Sequence, residues 1–96
     1  MIIGIDFDGT FGADIESFYS IVRVFQNAGH ICILVTQRSE EQGDEIKEVI
    51  GGLMEVVWSS GMAKQDAVAH AGYSVDIWID DHPQSVFVAR TYVGPV

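Results

Sequence analysis

Four short, β-rich apolar runs alternate along this chain with stretches of helical periodicity, and that alternation restricts the fold more than any other feature. The runs cover residues 1–7, 31–35, 55–58 and 76–79, lengths suited to buried strands. Between them, Ile15, Phe18, Val22 and Phe25 fall on one helical face, after a start near Asp14. Ser39 with Gln42 resembles a capping box opening a second helix, which turns Ile46, Val49 and Ile50 inward. Residues 63–71 read as a third helix, and Pro83 suits the first turn of a fourth, expected to run to about Arg90. Gly29, Gly51 and Gly72 supply helix stops. Residues 91–96 are expected to form a last edge strand or an arm. Strands alternating with helices imply right-handed βαβ units and a parallel sheet covered on both faces, a three-layer α/β sandwich. In such sheets ligands bind beyond the carboxyl ends of the strands, where strand order reverses.

The 96 residues contain no repeat, linker or low-complexity segment, so residues 1–96 read as one domain. The apolar runs are too short to span a membrane. Met1 leads straight into a strand pattern, with no sign of a secretory leader. The single Cys32 cannot form an internal disulfide. It reads as a buried, inert thiol, and a cytoplasmic location is expected. A net charge of −9 repels phosphate backbones and disfavours sequence-independent nucleic-acid binding.

The strand ends carry the chemistry. The first ends in Asp6 and Asp8, the second in Thr36, the fourth in Asp80 and Asp81; Ser59, Ser60 and Lys64 follow the third. Strand alternation turns Asp6 and Asp8 to one side and Phe7 to the other. Two carboxylates at about 4 Å repel by roughly 4 kcal/mol at an effective dielectric near 20. A shared proton, a cation or splaying into water must relieve this. All candidate ligands are hard oxygens, so magnesium (Mg2+) is the natural cation. Lys64 falls in a first helical turn, where the macrodipole disfavours a cation unless an anion is shared. The Thr36 hydroxyl can hold a phosphate oxygen. Asp81 either supports the metal or caps the helix that Pro83 opens. Gln37 and Arg38 follow Thr36, and Arg38 either contacts substrate or sits at a helix start. His82 is either a substrate contact or solvated; His30 and His70 read as structural or exposed.

Taken in order, these residues resemble the haloacid dehalogenase superfamily. Asp6-Phe7-Asp8-Gly9-Thr10 resembles its first motif, Thr36 its second, Lys64 its third and Ile79-Asp80-Asp81 its fourth. The resemblance implies a Rossmannoid sheet of order 3-2-1-4, with any fifth strand beside the fourth. It implies a magnesium-dependent phosphomonoester hydrolase: Asp6 attacks phosphorus, Asp8 serves as acid and then base, and Thr36 and Lys64 bind phosphoryl oxygens; Gln37 and Arg38, where the family often has a small residue or Asn after the threonine, are further candidates for phosphate contact. The metal would be held by the Asp6 carboxylate, the Asp8 backbone carbonyl and Asp80, with support from Asp81. There is no cap domain, since only Phe11–Ala13 separate the first motif from the first helix. An open site suits bulky phosphorylated substrates, or closure by a neighbouring subunit in a homo-oligomer. Nucleotides, sugar phosphates, phosphopeptides and nucleic-acid end phosphates all fit this reading. Two alternatives stand beside it: a non-catalytic phosphate- or metal-binding protein on the same scaffold, and a receiver-like signalling module. The second lacks an acceptor, because Val57, Trp58 and Ser59 occupy the receiver's phosphorylation position.

Overall fold

Strand β1 (Ile2–Ile5) is an apolar run at the centre of the sheet, and β2 (Ile31–Thr36), β3 (Glu55–Trp58) and β4 (Ile77–Ile79) pair in parallel around it. These elements belong to a computed structural model that describes residues 1–90; the arm or strand expected over 91–96 lies outside them. The sheet order is β3-β2-β1-β4, the order expected. Strand order therefore reverses between β1 and β4.

Period-two alternation sends successive strand residues to opposite layers. Ile3, Ile5, Cys32 and Leu34 pack with Val22 of α1 (Ile15–Asn27) and with Ile46 and Ile50 of α2 (Asp44–Ile50). Ile33, Val35 and Val57 pack on the other face with Ala67 and Val68 of α3 (Lys64–His70). The short α4 (Gln84–Phe87) lies beside α3. The result is a doubly wound, Rossmann-like α/β sandwich. Cys32 is buried, and burial pushes its thiol pKa up. No helix among the described residues is long and apolar enough to cross a membrane.

Four local expectations need correction. β1 ends at Ile5 rather than Phe7, because the chain turns there: the Phe7 carbonyl accepts from the Thr10 and Gly12 N–H groups at 3.2 and 2.8 Å. Asp14 does cap α1, accepting from the Ser17 N–H at 3.2 Å, but Ile15 at the first helical position stays 42% exposed, outside both cores. Ser39 and Gln42 bracket a single 3₁₀ turn, Glu40–Gln42, with the Ser39 N–H donating to Gln42 Oε1 at 3.2 Å. The α-helix starts only after Gly43, which is buried because the Trp58 ring fills the space a Cβ would need. Finally, α4 ends at Phe87 instead of running to Arg90. Val88 is extended, and the Arg90 N–H donates to the Gly61 carbonyl at 2.8 Å, so the chain crosses to the loop after β3.

Candidate active site

The reversal between β1 and β4 places three carboxylates together. Asp6 continues the β1–β4 ladder, its N–H donating to the Ile79 carbonyl at 3.0 Å. Asp80 and Asp81 follow β4 directly. Carboxylate oxygens of Asp6, Asp80 and Asp81 all lie within 4.8 Å of one another. Lys64, the first residue of α3, reaches in from the other side of the sheet order. Its Nζ donates to Asp6 Oδ1 at 2.7 Å and to Asp80 Oδ2 at 2.6 Å, and it is only 2% exposed.

The electrostatics follow from that count. Three carboxylates and one ammonium leave two negative charges in a mostly buried site, and Asp6 itself is 6% exposed. Burial pushes Asp6 up from 3.8 to about 6; Lys64 opposes that rise, while Asp81 and Asp80 add to it. Asp81 moves the other way, held low first by its hydrogen bond with Asp6 and then by Thr10. A proton on Asp6, shared toward Asp81, removes one of the two excess charges. A divalent cation removes both. The all-oxygen donor set fits a hard cation.

Asp8 sits elsewhere. It lies in the turn after β1, its side chain is 54% exposed, and it is not part of the three-carboxylate cluster. The Arg38 guanidinium grips it with both arms, Nε to Oδ2 at 3.0 Å and Nη2 to Oδ1 at 2.5 Å. Asp6 and Asp8 therefore do not form the strand-end pair expected: Asp8 pairs with Arg38, while Asp6 shares Lys64 with Asp80. Arg38 is held in place by the Gln42 carbonyl at 3.2 Å, by Glu45 at 3.7 Å and by the Phe7 ring at 5.6 Å.

Asp80 and Asp81 divide their work differently from the expectation. Asp81 does not cap α4. It accepts from the Thr10 hydroxyl at 2.9 Å, and its N–H donates back to that hydroxyl at 3.2 Å. Gly9, at φ +79°, leaves the room its carboxylate occupies. Asp80 takes the local role instead, accepting from the His82 N–H at 2.8 Å and the Ser85 hydroxyl at 3.2 Å. Thr10 and Ser85 are thus site residues to which the sequence alone gives no role; their signal was proximity to the acid motifs.

A cleft of about 390 Å³ opens over this cluster, lined by Asp6, Asp8, Gln37, Arg38, Lys64, Asp80 and Asp81 among others. Thr36 does not line it. That residue is 1% exposed, and its hydroxyl already accepts from the Arg38 N–H at 3.2 Å. His82 lines the cleft and is exposed, whereas His30 lies against the amino terminus, 3.0 Å from the Met1 nitrogen. No family model, curated protein or solved structure matches the chain.

Proposed function

We propose that this protein is a capless, haloacid-dehalogenase-like hydrolase that cleaves phosphomonoesters with the help of magnesium. The observation that carries this reading is the buried Asp6 at the strand-order reversal, gripped by Lys64 and crowded by Asp80 and Asp81. A buried carboxylate with a fixed ammonium on one oxygen and metal-competent acids beside it is equipped to attack phosphorus.

In the first step an Asp6 oxygen bonds to phosphorus and the ester P–O bond breaks. The leaving oxygen takes a proton from Asp8, which requires the Arg38 pair to loosen. In the second step water attacks the phosphorus of the aspartyl phosphate, Asp8 accepts the water's proton, and inorganic phosphate leaves with Asp6 restored. Lys64 keeps its charge beside the oxygens on which negative charge builds. Asp6, Asp80 and Asp81 would hold magnesium, which when bound supplies charge neutralisation to the phosphoryl oxygens.

The charge balance supports a cation requirement. Four carboxylates and three cationic side chains line the cleft, leaving it net negative toward a phosphate dianion. One divalent ion reverses that sign. The sheet order supports this reading over a receiver-like module, because flavodoxin-like sheets run 2-1-3-4-5.

The test is hydrolysis of an aryl phosphate by purified protein, with magnesium or with a chelator. Turnover should require the metal, and Asp6→Asn should abolish it. Asp8→Asn should cost about 10²–10⁴ in rate, the usual worth of general acid–base help. Full turnover in Asp6→Asn would end the covalent mechanism. Tight magnesium binding with no turnover on any phosphomonoester would favour the non-catalytic alternative.

A further inference from the structure

The chain has only five Lys and Arg residues against fourteen acids, yet three of the five, Arg38, Lys64 and Arg90, line one cleft. Two of these are committed. Lys64 holds Asp6 and Asp80, and Arg38 holds Asp8. Arg90 differs. Among the described residues it has no carboxylate within ion-pairing distance, although the protein is strongly acidic. Among the described residues its guanidinium makes one hydrogen bond, from Nη2 to the Gln37 carbonyl at 3.2 Å, and its backbone N–H is fixed on Gly61 at 2.8 Å. A guanidinium carries five N–H donors in a rigid fork, so most of Arg90's donors are uncommitted among the described residues.

The fold sets where that fork sits. Gln37 directly follows β2 and Gly61 lies in the loop after β3, so Arg90 bridges those two strand ends. The carboxylate cluster lies one strand over, at the β1–β4 border. Strands are spaced about 4.8 Å apart, which puts the fork roughly 5–10 Å across the cleft from Asp6. The anchoring is firm at the backbone and light at the side chain. That arrangement holds a cation over the cleft without neutralising it.

Resting on the phosphatase reading above, we infer that Arg90 is a specificity-determining residue that binds a second anionic group on the substrate's leaving portion. The preferred substrate is then a phosphomonoester whose leaving group carries a carboxylate or a second phosphate. A planar guanidinium recognises either group through paired, charge-assisted hydrogen bonds. Gln37 and Gln84 line the same cleft and offer neutral hydrogen bonds around that group.

The experiment compares three probes with magnesium present: phenyl phosphate, 4-carboxyphenyl phosphate and 1,4-phenylene bisphosphate. Wild-type protein should favour the anionic probes by about tenfold in kcat/KM over the ratio shown by Arg90→Gln, mostly through KM, consistent with one charge-assisted contact. The variant's own ratio corrects for leaving-group reactivity. Arg90→Lys should keep part of the preference. In wild-type protein the preference should shrink as salt rises from about 50 to 500 mM, a readout that needs no variant to fold. The carboxylate and bisphosphate arms show which anion is the better fit. An identical ratio in wild type and Arg90→Gln, or a preference indifferent to salt, overturns the role of Arg90 while leaving the phosphatase reading intact. No magnesium-dependent hydrolysis of any probe overturns that reading, and this inference with it.

Discussion

Replacing Asp6 by Asn changes the charge at the centre of the site while nearly preserving its shape. In the metal-free protein the fold raises the Asp6 pKa from 3.8 to about 6, chiefly by burial. The fold therefore favours the protonated acid. Its contribution to stability is fully present below pH 4 and is lost as pH rises through about 6. At about 1.4 kcal/mol per pH unit, ionising Asp6 costs the metal-free protein about 3 kcal/mol by pH 7. The neutral amide of the variant escapes that cost, so the stability difference between Asp6→Asn and wild type should grow by up to about 3 kcal/mol in favour of the variant between pH 4 and pH 7. Urea denaturation in chelator at four pH values measures it, and subtracting the two proteins cancels the titration of the groups that do not touch Asp6. Magnesium should close most of that gap at pH 7. It would bind the ionised carboxylate, so a hundredfold excess over Kd should stabilise wild type by about 2.7 kcal/mol. The same addition should do little below pH 5, where a proton holds the site, and little to Asp6→Asn at any pH. A stability difference that stays flat from pH 4 to pH 7 would refute the charge count at this site.

Lys64→Met should cost about 3–5 kcal/mol near neutral pH, since it leaves Asp6 and Asp80 buried without their shared cation; the loss, read by denaturant titration, should shrink toward pH 5 as Asp6 takes up a proton. Arg38→Ala should change stability by about 1 kcal/mol or less, because its partner Asp8 is more than half exposed and is left solvated. The same variant should lower aryl-phosphate turnover by up to about 10²-fold, because the cleft loses one of the three cationic side chains that face the phosphate. Gly43→Ala should destabilise by about 1–3 kcal/mol in a thermal melt, since the new Cβ meets the Trp58 ring and the Glu40 carbonyl.

The layers of the fold were legible because they depend on local pattern. A run such as Ile31–Thr36 is too short and too β-branched for a helix, and its alternating sides serve two cores. The acid cluster was legible for a related reason. In a parallel sheet every strand's carboxyl end lies on one edge, so residues that end strands in sequence share an edge in space. Joined to the strand order that the family resemblance implies, that argument places Asp6 beside Asp80 without a single side-chain coordinate.

What escaped the sequence depends on contacts between distant residues or on the exact end of an element. The Asp8–Arg38 pair joins positions 30 apart, and it exists because β1 stops at Ile5 and swings Asp8 outward. A strand two residues longer would have aimed Asp8 at Asp6 instead. The end of α4 is a similar case: nothing between Pro83 and Arg90 forbids a longer helix, but the bonds from Arg90 to Gly61 and Gln37 draw the chain away. Thr36 shows the converse. Its place at the strand end was read from sequence, yet the hydroxyl is turned to the N–H two residues on, a local bond that withdraws it from the cleft. Strand-end position therefore says which residues can gather at a site, and the turns that follow decide which of them face it. At this site the turns leave Asp6 buried with excess negative charge, Asp8 held apart by Arg38, and Arg90 with donors to spare. A phosphoryl group, a divalent cation and a second anion would complete that set of charges.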